Sequence, residues 1–149
     1  MHILVDSGLN PKGIGRLAMP DFSLIKDVSL DLIIITHCHL DHIGSLPVVM
    51  RQHPNAQVVM THSSKMILDR MLHNSANVML RQKEENNIPD YPLFTHEEVD
   101  RCVPRFTGME FLQPKKFKGK TDEIEIMMHH AGHVAGACAV EVRHKHRHI

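Results

Sequence analysis

The sequence predicts one domain of mixed α/β (α+β) class. Three observations carry this: strongly apolar short runs at residues 30–36 and 57–61, helical periodicity with cap signals after Ser63 and Thr95, and two strand-like runs flanking a loop of small residues around His133. At 149 residues and 42% hydrophobic content the chain is long enough for one domain with a real core.

Ile3, Leu4 and Val5 read as a short strand ending at Asp6-Ser7-Gly8, and residues 9–15 as a loop containing Asn, Pro and Gly. Residues 30–36 hold three consecutive isoleucines and are too apolar to alternate, which suits a strand buried on both faces. Its C-terminal end delivers His37. Pro47 stands where a helix can begin after Gly44-Ser45, because a first-turn proline lacks only an N–H that would be unpaired there, and this helix should reach Gln52. Residues 57–61 are β-branched again. Ser63 or Ser64 is then expected to cap a long helix through Met66, Leu68, Met71, Leu72 and Leu80, its methionines serving as core filler. Residues 86–92 break the pattern. Thr95 followed by Glu98 spells a capping box, so another helix should run to about Cys102 and stop near Pro104. Residues 106–117 read as strand and turn. Residues 123–128 and 137–144 read as strands around Ala131-Gly132-His133-Val134-Ala135-Gly136, whose small residues permit close backbone approach.

Seventeen basic and seventeen acidic side chains cancel, so no global field steers a polyanion, although a local basic patch is compatible with that balance. Cys38, Cys102 and Cys138 are odd in number and widely spaced, which fits a reducing, cytoplasmic setting better than a disulfide framework. Neither a signal peptide nor a membrane segment is expected, since no apolar run approaches the roughly 20 residues a spanning helix needs. Fourteen histidines stand against one tyrosine and no tryptophan. Histidine is the commonest protein metal ligand, so this excess points to metal chemistry without locating it. His2, His53, His62, His73 and His96 read as bystanders.

Thr36-His37-Cys38-His39-Leu40-Asp41-His42-Ile43-Gly44 locates the chemistry. In extended backbone His37 and His39 project to one side, while Cys38 between them points away and packs. After a turn at Leu40, Asp41 and His42 aim back from a displaced position, as a second metal a few Å from the first requires. Two histidines and a carboxylate suit zinc or another borderline first-row ion.

His37-x-His39-x-Asp41-His42 resembles the signature of the metallo-β-lactamase superfamily. The extension Asp41-His42-Ile43-Gly44-Ser45-Leu46-Pro47 is similar to its β-CASP nucleases, as is His130-Ala131-Gly132-His133-Val134-Ala135-Gly136-Ala137. The latter nominates His133 over His129 and His130, which lack the Gly-His-Val context. Val5-Asp6-Ser7-Gly8 resembles the early strand whose Asp hydrogen-bonds a metal-ligand histidine from behind. The resemblance runs from residue 3 to about residue 143. It implies an αββα sandwich with His37, His39 and His133 on one metal and Asp41 and His42 on a second. It also implies one or two zinc ions, manganese being possible, and RNA hydrolysis by a metal-activated hydroxide, with Asp41 among the catalytic residues.

A complete β-CASP enzyme continues with a strand whose Asp bridges the two metals, then the β-CASP domain and a late histidine, and nothing in residues 143–149 matches that Asp. Residues 1–149 are therefore expected to be the N-terminal part of an incomplete metallo-β-lactamase domain, the β-CASP domain absent and the second metal site weak or empty. An unpaired edge near residues 137–144 and self-association of the chain should follow. Residues 114–120, four lysines around one aromatic, are the better candidate for phosphate contact, although a solvated lysine turn is the commoner form. Residues 143–148 read as a strand cut short before its partner. A small-molecule hydrolase such as a lactonase, and a non-catalytic metal-binding fragment, are the competing functions. The Asp-His-Ile-Gly-Ser-Leu-Pro and Ala-Gly-His-Val-Ala-Gly spellings favour the nuclease; metal stoichiometry separates the fragment.

Overall fold

The computed structural model describes residues 1–149. Strands β1 (Ile3–Val5), β2 (Leu32–Ile34), β3 (Gln57–Thr61) and β4 (Phe106–Met109) form a parallel sheet in that order. Helices α1 (Leu40–Ile43) and α2 (Leu46–Gln52) connect β2 to β3, and α3 (His62–Asn86) and α4 (His96–Cys102) connect β3 to β4. A second sheet, β5 (Lys115–Lys118), β6 (Glu123–His130), β7 (Cys138–His144) and β8 (Arg147–His148), is an antiparallel meander.

Two cores stack these layers. Ile33, Ile35, Val58, Met60, Leu68 and Leu72 belong to a cluster of 22 buried residues between the parallel sheet and the helices. Leu32, Ile34, Val59, Ile124, Ile126 and Met128 belong to a cluster of 9 between the two sheets. Alternation along β2 sends even-numbered residues to one core and odd-numbered residues to the other, so neither face is wet and the run must be continuously apolar. The outer face of the second sheet is charged instead: Arg143 pairs with Glu125 at 3.2 Å, and His129 with Glu141 at 2.8 Å.

Two local expectations are corrected. Thr61, not Ser63 or Ser64, caps α3, accepting a hydrogen bond from the Ser64 amide at 3.2 Å. Strand β3 runs straight into the helix, so its last residue is already the cap, and Ser64 turns its hydroxyl inward. Residues 143–148 are not a strand cut short: Lys145 (φ 52) turns the chain and β8 pairs with β7, Arg143 opposite His148. The edge expected near residues 137–144 is thus covered at Arg143 and His144, and Val142 exchanges backbone hydrogen bonds with Ile149 at 2.8 and 2.9 Å, while no strand pairs with residues 139–141 on that side. The Thr95 capping box forms with Glu98, and α3 ends in a left-handed Asn87.

Candidate metal centre

The chemistry-bearing residues collect at the C-terminal ends of the parallel strands, where an open α/β sheet leaves its crevice. Asp6 follows β1, His37 and His39 follow β2, and Thr61 ends β3. The alternation between His37 and His39 places Cys38 in the helix-side core, where its thiol donates to the Ser64 carbonyl at 3.2 Å. Burial pushes the Cys38 pKa up. Its role is packing.

His37, His39 and His133 each offer one ring nitrogen, and these lie within 4.8 Å of one another. The His37 ring meets both others nearly edge-on, with centroids 4.9 Å away in each case, so the rings converge rather than stack. His39 Nδ1 and His133 Nε2 are 3.3 Å apart. That matches the edge of a tetrahedron around an ion bound at about 2.0–2.1 Å, which is about 3.3–3.4 Å. The donor set therefore fits a borderline divalent ion such as zinc, with one position left for water in four-coordination.

Proton placement agrees. The Thr36 hydroxyl donates to Asp6 Oδ2 at 2.7 Å, so toward His37 Nδ1, 3.0 Å away, it can only accept. His37 is thereby held as the Nδ1–H tautomer with Nε2 bare. Burial above all, then the neighbouring His42 and His39 imidazoles, lower the His37 pKa, which favours the neutral ligand form.

Asp6 is the hub behind the centre. Its backbone is left-handed (φ 60), and its carboxylate accepts from the Thr36 amide at 2.8 Å and from His42 Nδ1 at 2.7 Å. His42 consequently presents Nε2, which lies 3.7 Å from Asp41 Oδ2. Asp6 thus orients His42 directly and His37 through Thr36. Asn adopts left-handed backbone as Asp does, so Asp6→Asn removes the charge without new strain. Metal affinity, read by chelator competition, is expected to fall about 10–100-fold at unchanged circular dichroism. Unchanged affinity would reduce Asp6 to a strand terminator.

Two glycines let the supporting segments close up. Helix α1, which carries Asp41 and His42, is laced to the segment after β1: the Ser7 amide donates to the His42 carbonyl at 2.7 Å and the Leu9 amide to the Leu40 carbonyl at 2.9 Å. Gly8 sits between them, where a Cβ would fall 1.7 Å from the Asp41 carbonyl oxygen. The His133 loop is pinned at Gly136 (φ 81), whose carbonyl accepts from the Thr61 hydroxyl at 2.7 Å and the Ser64 hydroxyl at 3.1 Å. Sequence reasoning missed Thr36, Thr61 and Ser64 as positioning groups; the small residues beside His133 were the one visible trace of that close approach.

The other histidines and the lysines go elsewhere. His129 faces Glu141 on the outer side of the second sheet, and His130 stacks on Phe111 at 3.7 Å. Lys115 lies opposite Ile126 and Lys118 opposite Glu123, so at about 3.3 Å per residue β6 carries the chain well past them before reaching His130. Lys116 pairs with Glu123 at 3.2 Å and Lys120 donates to the Ser29 hydroxyl at 2.7 Å. The lysine segment is at the far end of the sheet from the centre.

A family model described as "Metallo-beta-lactamase superfamily domain" matches residues 1–149. Among curated proteins the chain is similar to "Cleavage and polyadenylation specificity factor subunit 3-I" of Arabidopsis thaliana, 31% identical over 137 residues, which is 91% of this chain and 18% of that protein. It is similar to "Integrator complex subunit 11" of Danio rerio, 30% identical over 148 residues, 95% of this chain and 23% of that protein. It is also 29% identical over 141 residues to "Endoribonuclease YSH1" of Candida albicans, covering 91% of this chain and 16% of that protein. The chain thus spans less than a quarter of the length of these relatives. Among solved structures, a subclass B3 metallo-β-lactamase from a soil metagenome library matches with a TM-score of 0.56 at 17% identity, over 96% of this chain and 47% of that one. A dizinc quorum-quenching lactonase matches at 0.54 and 18% identity, over 98% and 50%. At these identities the likeness is one of fold.

Proposed function

Because the chain belongs to the metallo-β-lactamase superfamily, we propose that residues 1–149 are the N-terminal part of a metal-dependent phosphodiesterase domain that hydrolyses RNA. The carrying observation is the convergence of His37, His39 and His133, three imidazole nitrogens within 4.8 Å at the mouth of the parallel sheet. The RNA reading is supported by the sequence relatives, one of which is named an endoribonuclease, and by the β-CASP spelling from Asp41 to Pro47.

In this reading His37, His39 and His133 hold one divalent ion, zinc by donor chemistry with manganese possible, and Asp41 and His42 contribute to a second. A divalent ion bound there supplies Lewis acidity and a water whose pKa falls to about 7. The chain's own residues do the rest. Asp6 and Thr36 hold the ring protons of His42 and His37 on the side away from the centre, and the half-exposed Asp41 carboxylate, 3.7 Å from His42 Nε2, is the residue we assign to take a proton from the attacking water. No helix is long and apolar enough to cross a membrane. The cytoplasmic assignment rests on the three cysteines, all buried and unpaired.

The test incubates labelled single-stranded RNA, DNA of the same sequence and a lactone with zinc- or manganese-supplemented protein. Residues 1–149 alone are expected to bind about one zinc and cut little, because two ligands leave the second ion under-coordinated. A version extended through the bridging Asp and late histidine that the β-CASP resemblance implies is expected to cut RNA, with cleavage lost in Asp41→Ala at retained first-site zinc. Metal-loaded extended protein that hydrolyses the lactone and leaves RNA intact would overturn the proposal.

A further inference from the structure

A groove of about 590 Å³ adjoins the metal centre, and nothing in the chemistry above uses it. His39 and Asp41 belong to its lining, together with Asn74, Val78 and Gln82 of α3 and with Tyr91. Because residues four and eight apart share a helix face, Asn74, Val78 and Gln82 make one continuous strip. Any molecule lying in the groove shares residues with the centre, so it is continuous with whatever is held at His39.

We infer that this groove is the subsite for an unpaired nucleobase of the bound strand, read by the side-chain amides of Asn74 and Gln82; this rests on the nuclease reading above. Charge decides against the sugar-phosphate backbone as occupant. No lysine or arginine lines the groove, so nothing along it offsets the charge of a phosphate. A flat, uncharged ring with donors and acceptors on its edge meets no such penalty. The two amides offer both a donor and an acceptor, and neither is engaged by another protein group, whereas Asn77 is committed to His96 at 3.0 Å and Asn10 to the Lys12 amide at 3.0 Å. Asn and Gln pair with base edges bidentately, and sequence-sensitive RNA recognition works on splayed, unstacked bases of single strands. Val78 and Tyr91 supply apolar surface for the ring. The volume lies within the range of about 300–1,000 Å³ usual for small-ligand sites.

The test measures fluorescence anisotropy of a short labelled RNA, and of versions carrying one abasic site at successive positions, on the zinc-loaded 149-residue chain. One abasic position is expected to weaken binding about 5–100-fold, the loss typical of one stacked base. Asn74→Ala and Gln82→Ala, both compatible with helix, should weaken binding of intact RNA and shrink the penalty at that same position. Equal affinity for intact and abasic RNAs would overturn the subsite, leave the nuclease reading standing, and point to a polypeptide segment as the groove's occupant. An abasic penalty unchanged in both variants would also overturn it, by placing the base elsewhere. Absence of RNA binding by zinc-loaded wild type would overturn the subsite, while the RNA reading is decided separately by cleavage in the extended protein.

Discussion

Gly8→Ala is expected to empty the metal centre and lower the melting temperature. A Cβ at this position would lie 1.7 Å from the Asp41 carbonyl oxygen and 2.1 Å from its carbonyl carbon. Both are backbone atoms, so no side chain can swing aside; the segment after β1 and α1 must separate. The amide bonds from Ser7 and Leu9 to α1 would break or lengthen, and the displacement would carry His39, the N-cap of α1, together with Asp41 and His42, away from His37 and His133. Overpacking costs about 1–3 kcal/mol and occasionally more when the neighbour is rigid. In a domain of this size, at about 2–4 °C per kcal/mol, that corresponds to a melting temperature lower by roughly 2–12 °C. Gly132→Ala is the matched control. Its backbone is left-handed (φ 68), yet an added Cβ meets nothing within 4 Å, so only the conformational cost of about 1–2 kcal/mol applies. Thermal denaturation and metal analysis of both variants check the contrast. Full zinc content and an unshifted melting temperature in Gly8→Ala would show that the segment after β1 does not set the position of α1.

His133→Ala is expected to reduce bound zinc from about one ion per chain to nearly none after dialysis. Removing one of three converging imidazoles leaves His37 and His39 as a bidentate pair, which is not a structural zinc site. His37→Ala should behave the same way. His129→Ala and His130→Ala should keep their zinc, since one ring is held by Glu141 and the other by Phe111. Zinc retained in both His133→Ala and His37→Ala would sink the three-imidazole assignment.

What was legible before the structure was local. His37, Cys38 and His39 could be sorted by side-chain alternation alone, and the double-sided burial of β2 by its unbroken run of isoleucines. The Thr95 capping box needed four residues and nothing else. What was not legible depends on who sits opposite whom. Thr61 serves as both the last residue of a strand and a helix cap, a double duty that no cap pattern distinguishes from Ser63 or Ser64. The choice of His133 rested on resemblance, because alternation cannot say which face of β6 looks outward until β7 is paired to it; once paired, His129 is on the solvent side. The lysines of residues 114–120 had charge density but no direction, and only the register of β5 on β6 places them at the wrong end of the sheet. The turn before β8 carries Lys145 in left-handed backbone, without the Gly or Asn that marks such turns.

The centre also reports on the order in which the chain is built. Asp6 reaches His42 across 36 residues, Thr61 reaches the Gly136 carbonyl across 75, and His39 meets His133 across 94. Contacts of such separation are slow to form, because loop closure must be paid in entropy before they reward it. A chain in which only β2 and α1 have formed already holds His37, His39, Asp41 and His42 side by side, yet lacks the third imidazole. If His37, His39 and His133 hold the ion as proposed, tight zinc uptake is expected only once the antiparallel meander docks on the parallel sheet. On the proposed ligand set, metal capture would time the arrival of native structure, and a half-folded chain would carry two of the three imidazoles without the third.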